Sequence, residues 1–147
     1  MDRDTLPGGL ARTLYTEALL LGDEMRAYFD HAARDERESL APLARLHFAC
    51  ESLKATTRLM HVIAWLANRQ ALDSGDLAEH DANPAENRLA EASPSEPAVL
   101  GQLPSPARKL ILAGIDLYGQ VGRLAEGVET PTLSPARALF RRLEATF

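Results

Sequence analysis

The histidines, the single cysteine and the carboxylates set the limits on metal and catalytic chemistry. His47 and His61 fall on one face of a helix but stand 14 residues apart. That is about 21 Å along the axis at 1.5 Å per residue, so they cannot share an ion. His47 and Glu51 lie one turn apart and offer two ligands, and a zinc site needs more. The run "DLAEHD" brings Asp76, Glu79, His80 and Asp81 close together. In a segment this acidic, solvated charge is the simpler reading. Cys50 falls near the apolar arc of its helix and reads as a small core residue rather than a nucleophile. No G-x-S-x-G, phosphate-binding loop or dinucleotide fingerprint occurs. The expectation is a non-enzymatic chain with no catalytic residue, no cofactor and no metal site.

A different kind of chemistry is concentrated in the second predicted helix. At 100° per residue, His47, Glu51, Lys54, Arg58, His61, Trp65 and Arg69 share one narrow face. Six of these belong on a solvated surface; Trp65, the only tryptophan, does not. Tryptophan and arginine are enriched at binding hot spots, which makes Glu51, Lys54, Arg58, His61, Trp65 and Arg69 candidate partner contacts. The competing reading is structural: Trp65 lies beneath the neighbouring loop, or stacks on Arg58 or Arg69.

The elements that must position these residues are helical. A first helix spans about 10–38, with Leu10, Leu14, Ala18, Leu21, Met25, Tyr28 and Ala32 at spacings of three and four. "SLAP" (Ser39 to Pro42) breaks it. A second helix spans about 43–72, roughly 45 Å long, and ends at "DSG". Leu46, Ala49, Leu53, Met60, Ala64, Ala67 and Ala71 form one apolar row on it, and Phe48, Leu59 and Leu66 form another. Together they cover more than half the circumference, either buried in one monomer or meeting a second subunit. With Leu53 and Met60 assigned to the core, Leu53→Ala or Met60→Ala should cost about 2–5 kcal/mol. Thr56 and Thr57 are expected to pack, bonding the carbonyls four residues back. Ser105-Pro106 opens a third helix to about 128, and Ser134-Pro135 a short fourth over 135–146. The fold class is all-α: an antiparallel three-helix bundle with a short C-terminal fourth helix, in one domain over 1–147.

Charge is distributed unevenly. The formal net charge is −5, but residues 73–104 hold seven acids and one base, leaving +1 for everything else. This proline-rich segment between the second and third helices is expected to be a mobile acidic loop. No strong positive field marks a nucleic-acid binder. No stretch approaches the roughly 18–20 apolar residues of a membrane span, and no apolar leader opens the chain. With one cysteine there is no internal disulfide. A soluble, cytoplasmic chain is expected.

The stretch "ESLKATTRLMHVIAWLANRQAL" resembles the signature helix of the bacterial family called regulator of CtrA degradation. That family carries Glu-Ser, Thr-Thr-Arg-Leu-Met, a tryptophan-leucine pair and a later arginine. Here these are Glu51-Ser52, Thr56 to Met60, Trp65-Leu66 and Arg69. "YTEALLLGDEMRAYFD" before it and "LPSPARKLILAGIDLYGQVGRLAE" after it, with Leu117-Tyr118, continue the likeness. The resemblance implies a three-helix bundle that pairs as a homodimer. It also implies a non-enzymatic adaptor delivering cell-cycle regulators to the ClpXP protease, with fellow adaptors and often at a cell pole. Adaptor members of the family tend to carry a flexible C-terminal tail; here 135–146 reads as an amphipathic helix instead. The alternative function is a helical scaffold or dimerisation module for another partner, with no link to proteolysis.

Overall fold

The computed structural model describes residues 7–75, 88–129 and Leu143. Three long helices dominate. Helix α1 (Pro7–Ala27) passes through a single π turn (Tyr28–Ala32) into α2 (Ala33–Glu38). Helix α3 runs Pro42–Ser74, α4 is one turn at Pro97–Leu100, and α5 runs Ser105–Glu129. The described residues contain no strand. The expected helices at 10–38, 43–72 and 106–128 are therefore present, each slightly longer. The expected fourth helix at 135–146 lies outside the described residues apart from Leu143.

Local chemistry explains the boundaries. The Ser39 hydroxyl donates to the Glu36 carbonyl at 2.7 Å, so this serine closes α2 rather than opening α3. Pro42 stands in the first turn of α3, where its missing N–H costs nothing. Gly75 ends α3 at φ +81°, a left-handed conformation that glycine adopts without a Cβ clash. Tyr28 in the π turn donates to the Glu36 carboxylate one turn into α2. Burial and that carboxylate hold its phenol above the usual tyrosine range.

The helices do not simply alternate in direction. Phe29 stacks edge-on against Phe48, with ring centroids 5.9 Å apart, and Gly22 faces Leu59, so α1 and α3 are antiparallel. Tyr28 faces the Ala107 backbone while Gly114 faces Met25, so α5 is antiparallel to α1 as well. Helix α5 therefore runs parallel to α3. A Cβ added at Gly114 would sit 3.3 Å from the Met25 terminal methyl, so the glycine sets the close approach of α1 and α5. Parallel neighbours need a long return connection, which explains why some thirty residues separate α3 from α5. Residues 76–87 of it lie outside the described residues. Of the segment expected to be mobile, 73–104, residues 73–75 and 88–104 are described: 73–75 finish α3, 88–96 lie extended against the groove between α3 and α5, and 97–100 form α4.

The core draws on all three long helices. Leu14, Ala18 and Met25 of α1 meet Phe48, Leu59, Val62 and Leu66 of α3, and Ile111, Leu117 and Val121 of α5. Fully burying a side chain such as Val62, Leu66 or Ile111 is worth about 1.5–3 kcal/mol. One expected core row is not there. Leu46 (58% exposed), Leu53 (69%) and Met60 (63%) face outward, as do Ala49, Ala64 and Ala67. Cys50, expected near the core, is exposed too. The reason is geometric. α1 and α5 pack against the Phe48–Leu59–Leu66 side, and a helix with two neighbours cannot bury the row on its far side.

Candidate protein-interaction site

The face of α3 expected to be solvated is the one that is covered. Glu51 is 2% exposed, Arg58 4% and Trp65 4%. Lys54, His61 and Arg69 are half-buried. All six candidate contacts still share one face of α3, so their grouping is as expected. Trp65 is a member of the hydrophobic core, which corrects its placement on an open surface. In this conformation no partner can anchor on it.

The cover over the polar row is the extended segment 88–96, which runs antiparallel to α3 and α5. Leu89 approaches Gly122, and the Tyr118 hydroxyl donates to the Ala90 carbonyl at 2.6 Å. Further along, Arg58 Nη2 donates to the Ser93 carbonyl at 3.0 Å and to the Ser95 hydroxyl at 3.1 Å. Lys54 donates to the Pro94 carbonyl at 3.1 Å and to Glu51 at 3.0 Å. The Ser95 hydroxyl donates to the other Glu51 oxygen at 2.5 Å. His47 lies 3.3 Å from Gln102 beyond the strap. These bonds explain how a carboxylate and a guanidinium tolerate burial. An extended strand has no internal partners for its carbonyls, and the helix supplies charged donors for them.

The network is not saturated. Arg58 Nη1 and His61 Nδ1 are buried with no hydrogen-bond partner among the described residues. Burial pulls the Arg58 guanidinium below the usual arginine range, and Glu51 and Tyr118 partly offset that. Arg69 pairs instead with Asp73 one turn along, at 3.0 Å.

Other expectations meet the structure more simply. The Thr56 hydroxyl donates to the Ser52 carbonyl at 3.0 Å, as expected, but Thr56 and Thr57 are both exposed rather than packed, because they lie away from the sides of α3 that meet α1 and α5. His47 and Glu51 turn to separate partners, Gln102 and Ser95. Among the described residues no cluster of three or more histidine, cysteine or acidic side chains could hold a metal. Asp76, Glu79, His80 and Asp81 lie outside them. No helix of the described residues is long and apolar enough to cross a membrane.

Sequence reasoning placed one surface on the wrong side of α3. Leu43, Leu46, Cys50 and Leu53, then Thr57 and Met60, then Ala64 and Ala67, recur at alternating steps of three and four. All are exposed, and none carries a charge. This is the 3.5-residue repeat of a helix seam, and it was legible in the sequence as an apolar row. A cleft of about 410 Å³ opens beside it between Gly22 and Met25 of α1, Phe29 of the π turn, and Leu59, Met60 and Ile63 of α3.

These features define an all-α bundle whose distinctive elements are a strapped polar row and an open apolar seam on one helix. The chain belongs to the family described as "Protein of unknown function (DUF1465)", whose model matches residues 4–147. It is similar to the crystal structure of RcdA, the regulator of CtrA degradation, from Caulobacter crescentus CB15. The two are 30% identical with a TM-score of 0.63, over 78% of this chain and 87% of that one. Among curated proteins, none matches.

Proposed function

We propose that this protein is a non-enzymatic, homodimeric adaptor in regulated proteolysis, bringing substrate proteins such as cell-cycle regulators to the ClpXP protease. The observation that carries the reading is the 30% identity to RcdA across most of both chains. The signature helix contributes Glu51, Arg58 and Trp65 to the packed interior beneath the strap. Partner contact then falls to what the same row leaves open: Lys54, His61 and Arg69, together with the outer edge of the strap. An uncharged apolar face along α3 supports pairing with a second copy.

Affinity purification of the tagged chain from its own host tests this. Co-purification of an AAA+ unfoldase, its peptidase or fellow adaptors is expected, with longer substrate half-lives when the gene is deleted. Absence of all of these, with unchanged half-lives, would leave a scaffold unconnected to proteolysis as the better account.

A further inference from the structure

The strap is held the way a bound peptide is held. Across 88–96 the half-buried residues are Leu89, Ala92 and Ser95, and the others are exposed. That interval of three is the period of a polyproline II helix. Glu96, at φ −85° and ψ 132°, has the same backbone conformation, and Pro94 and Pro97 favour it. Such a segment makes no internal hydrogen bonds, so its carbonyls are open to a partner. Here Lys54, Arg58 and Tyr118 each bond one of them, and Glu51 and Arg58 bond the Ser95 hydroxyl. The middle inward position is the exception. Ser93 sits at Arg58 and Ala90 at Tyr118, so Ala92 lies between them, and its methyl accepts nothing. Arg58 is 4% exposed, yet its Nη1 has no partner among the described residues, and His61 Nδ1, one turn along the same face, has none either.

We infer that the α3–α5 groove is a recognition site for an extended segment of a partner protein, carrying an apolar residue, a carboxylate and a serine at three-residue intervals. The strap is the resident stand-in for that segment. The inference deepens the adaptor reading by giving the chemistry of what is bound, and no protease is needed to test it. A carboxylate at the Ala92 position would accept from Arg58 Nη1. Lys54 and Arg58 against Glu51 leave the row one positive charge to match it. Of the strap only Leu89 packs against the hydrophobic core, so exchange leaves the three long helices in contact. A tethered segment competes at roughly millimolar effective concentration, so an incoming one must bind more tightly than the strap does. One hydrogen bond to a charged group raises affinity by roughly 10- to 150-fold, enough to turn that competition.

Labelled peptides of residues 88–97, one native and two carrying Ala92→Asp or its uncharged isostere Ala92→Asn, test this by fluorescence anisotropy against the full-length native protein. The Ala92→Asp peptide should bind at least about tenfold more tightly than the native one, with the Ala92→Asn peptide between them. Equal affinity for the Ala92→Asp and native peptides would overturn the site, as would no binding of the Ala92→Asp peptide at roughly millimolar concentration. Ala92→Asp in the full chain locates the contact. Its own strap then carries the carboxylate, so it should bind the Ala92→Asp peptide about tenfold more weakly than the native chain does. Undiminished binding by that variant would place the peptide outside the groove and overturn the proposal. The titration of the native chain decides the matter even where the variant fails to fold. Peptide binding without co-purifying protease components would leave the groove standing and remove the adaptor reading; the reverse result would remove the groove alone.

Discussion

One side of α3 buries a carboxylate, a guanidinium and a tryptophan, while the other leaves three leucines and a methionine in water. The contrast reverses what side-chain polarity alone would assign. It teaches that burial within a chain follows the availability of neighbours. The polar row has a strap to bond and α5 to lean on; the apolar row has neither. A polar group can enter a core when its hydrogen bonds are made, whereas an apolar group cannot bury itself without a surface to meet.

Trp65→Ala should break the buried side most severely. Its ring belongs to the core, so truncation should cost about 3–5 kcal/mol in denaturant unfolding. A cost below about 1 kcal/mol would return Trp65 to the surface. Glu51→Ala should follow at about 3 kcal/mol, because it removes the buried carboxylate that Lys54 and Ser95 bond and whose charge offsets that of the buried Arg58 guanidinium. Adding Arg58→Met to that variant should restore part of the loss, which a surface pair would not do. Ser95→Ala removes the hydroxyl that links Glu51 to Arg58 and should cost about 1 kcal/mol. Loss of amide protection concentrated in the strap would locate that cost.

The smallest effect belongs to the open side. Leu53→Ala should change the fold's stability by under about 0.5 kcal/mol in a dilute, monomeric sample. Burial of Leu53 in the monomer would instead require the core-sized cost of about 2–5 kcal/mol. A penalty that emerges only as protein concentration rises would assign Leu53 to contact between copies rather than to the fold, sharpening the contrast between the two faces.

Much of the fold was legible in the residues. The spacing of Leu14, Ala18 and Met25 marked the inner face of α1, and Phe48, Leu59 and Leu66 the inner face of α3, because helical periodicity fixes which side chains point together. Pro42, Gly75 and Ser105-Pro106 marked boundaries through backbone constraints that act locally. The candidate site was half legible: its six residues do share a face. Their covering was hidden, because hydrogen bonds from Lys54, Arg58 and Tyr118 to Ala90, Ser93 and Pro94 join positions 28–40 residues apart and leave no periodic trace. Composition made 88–96 resemble a solvated loop, and only the groove gave its carbonyls partners.

By itself, then, the amino-acid sequence determined that the chain makes long amphipathic helices, where they start and stop, and which residues ride together on each. Those properties follow from dihedral preference and a 3.6-residue turn, which operate over a few neighbours. The tertiary structure alone decided that α5 runs parallel to α3, that the connection returns along the groove, and which of two apolar rows on α3 faces inward. Each depends on surfaces brought together from distant parts of the chain, and a helix with two apolar rows is satisfied locally by either choice.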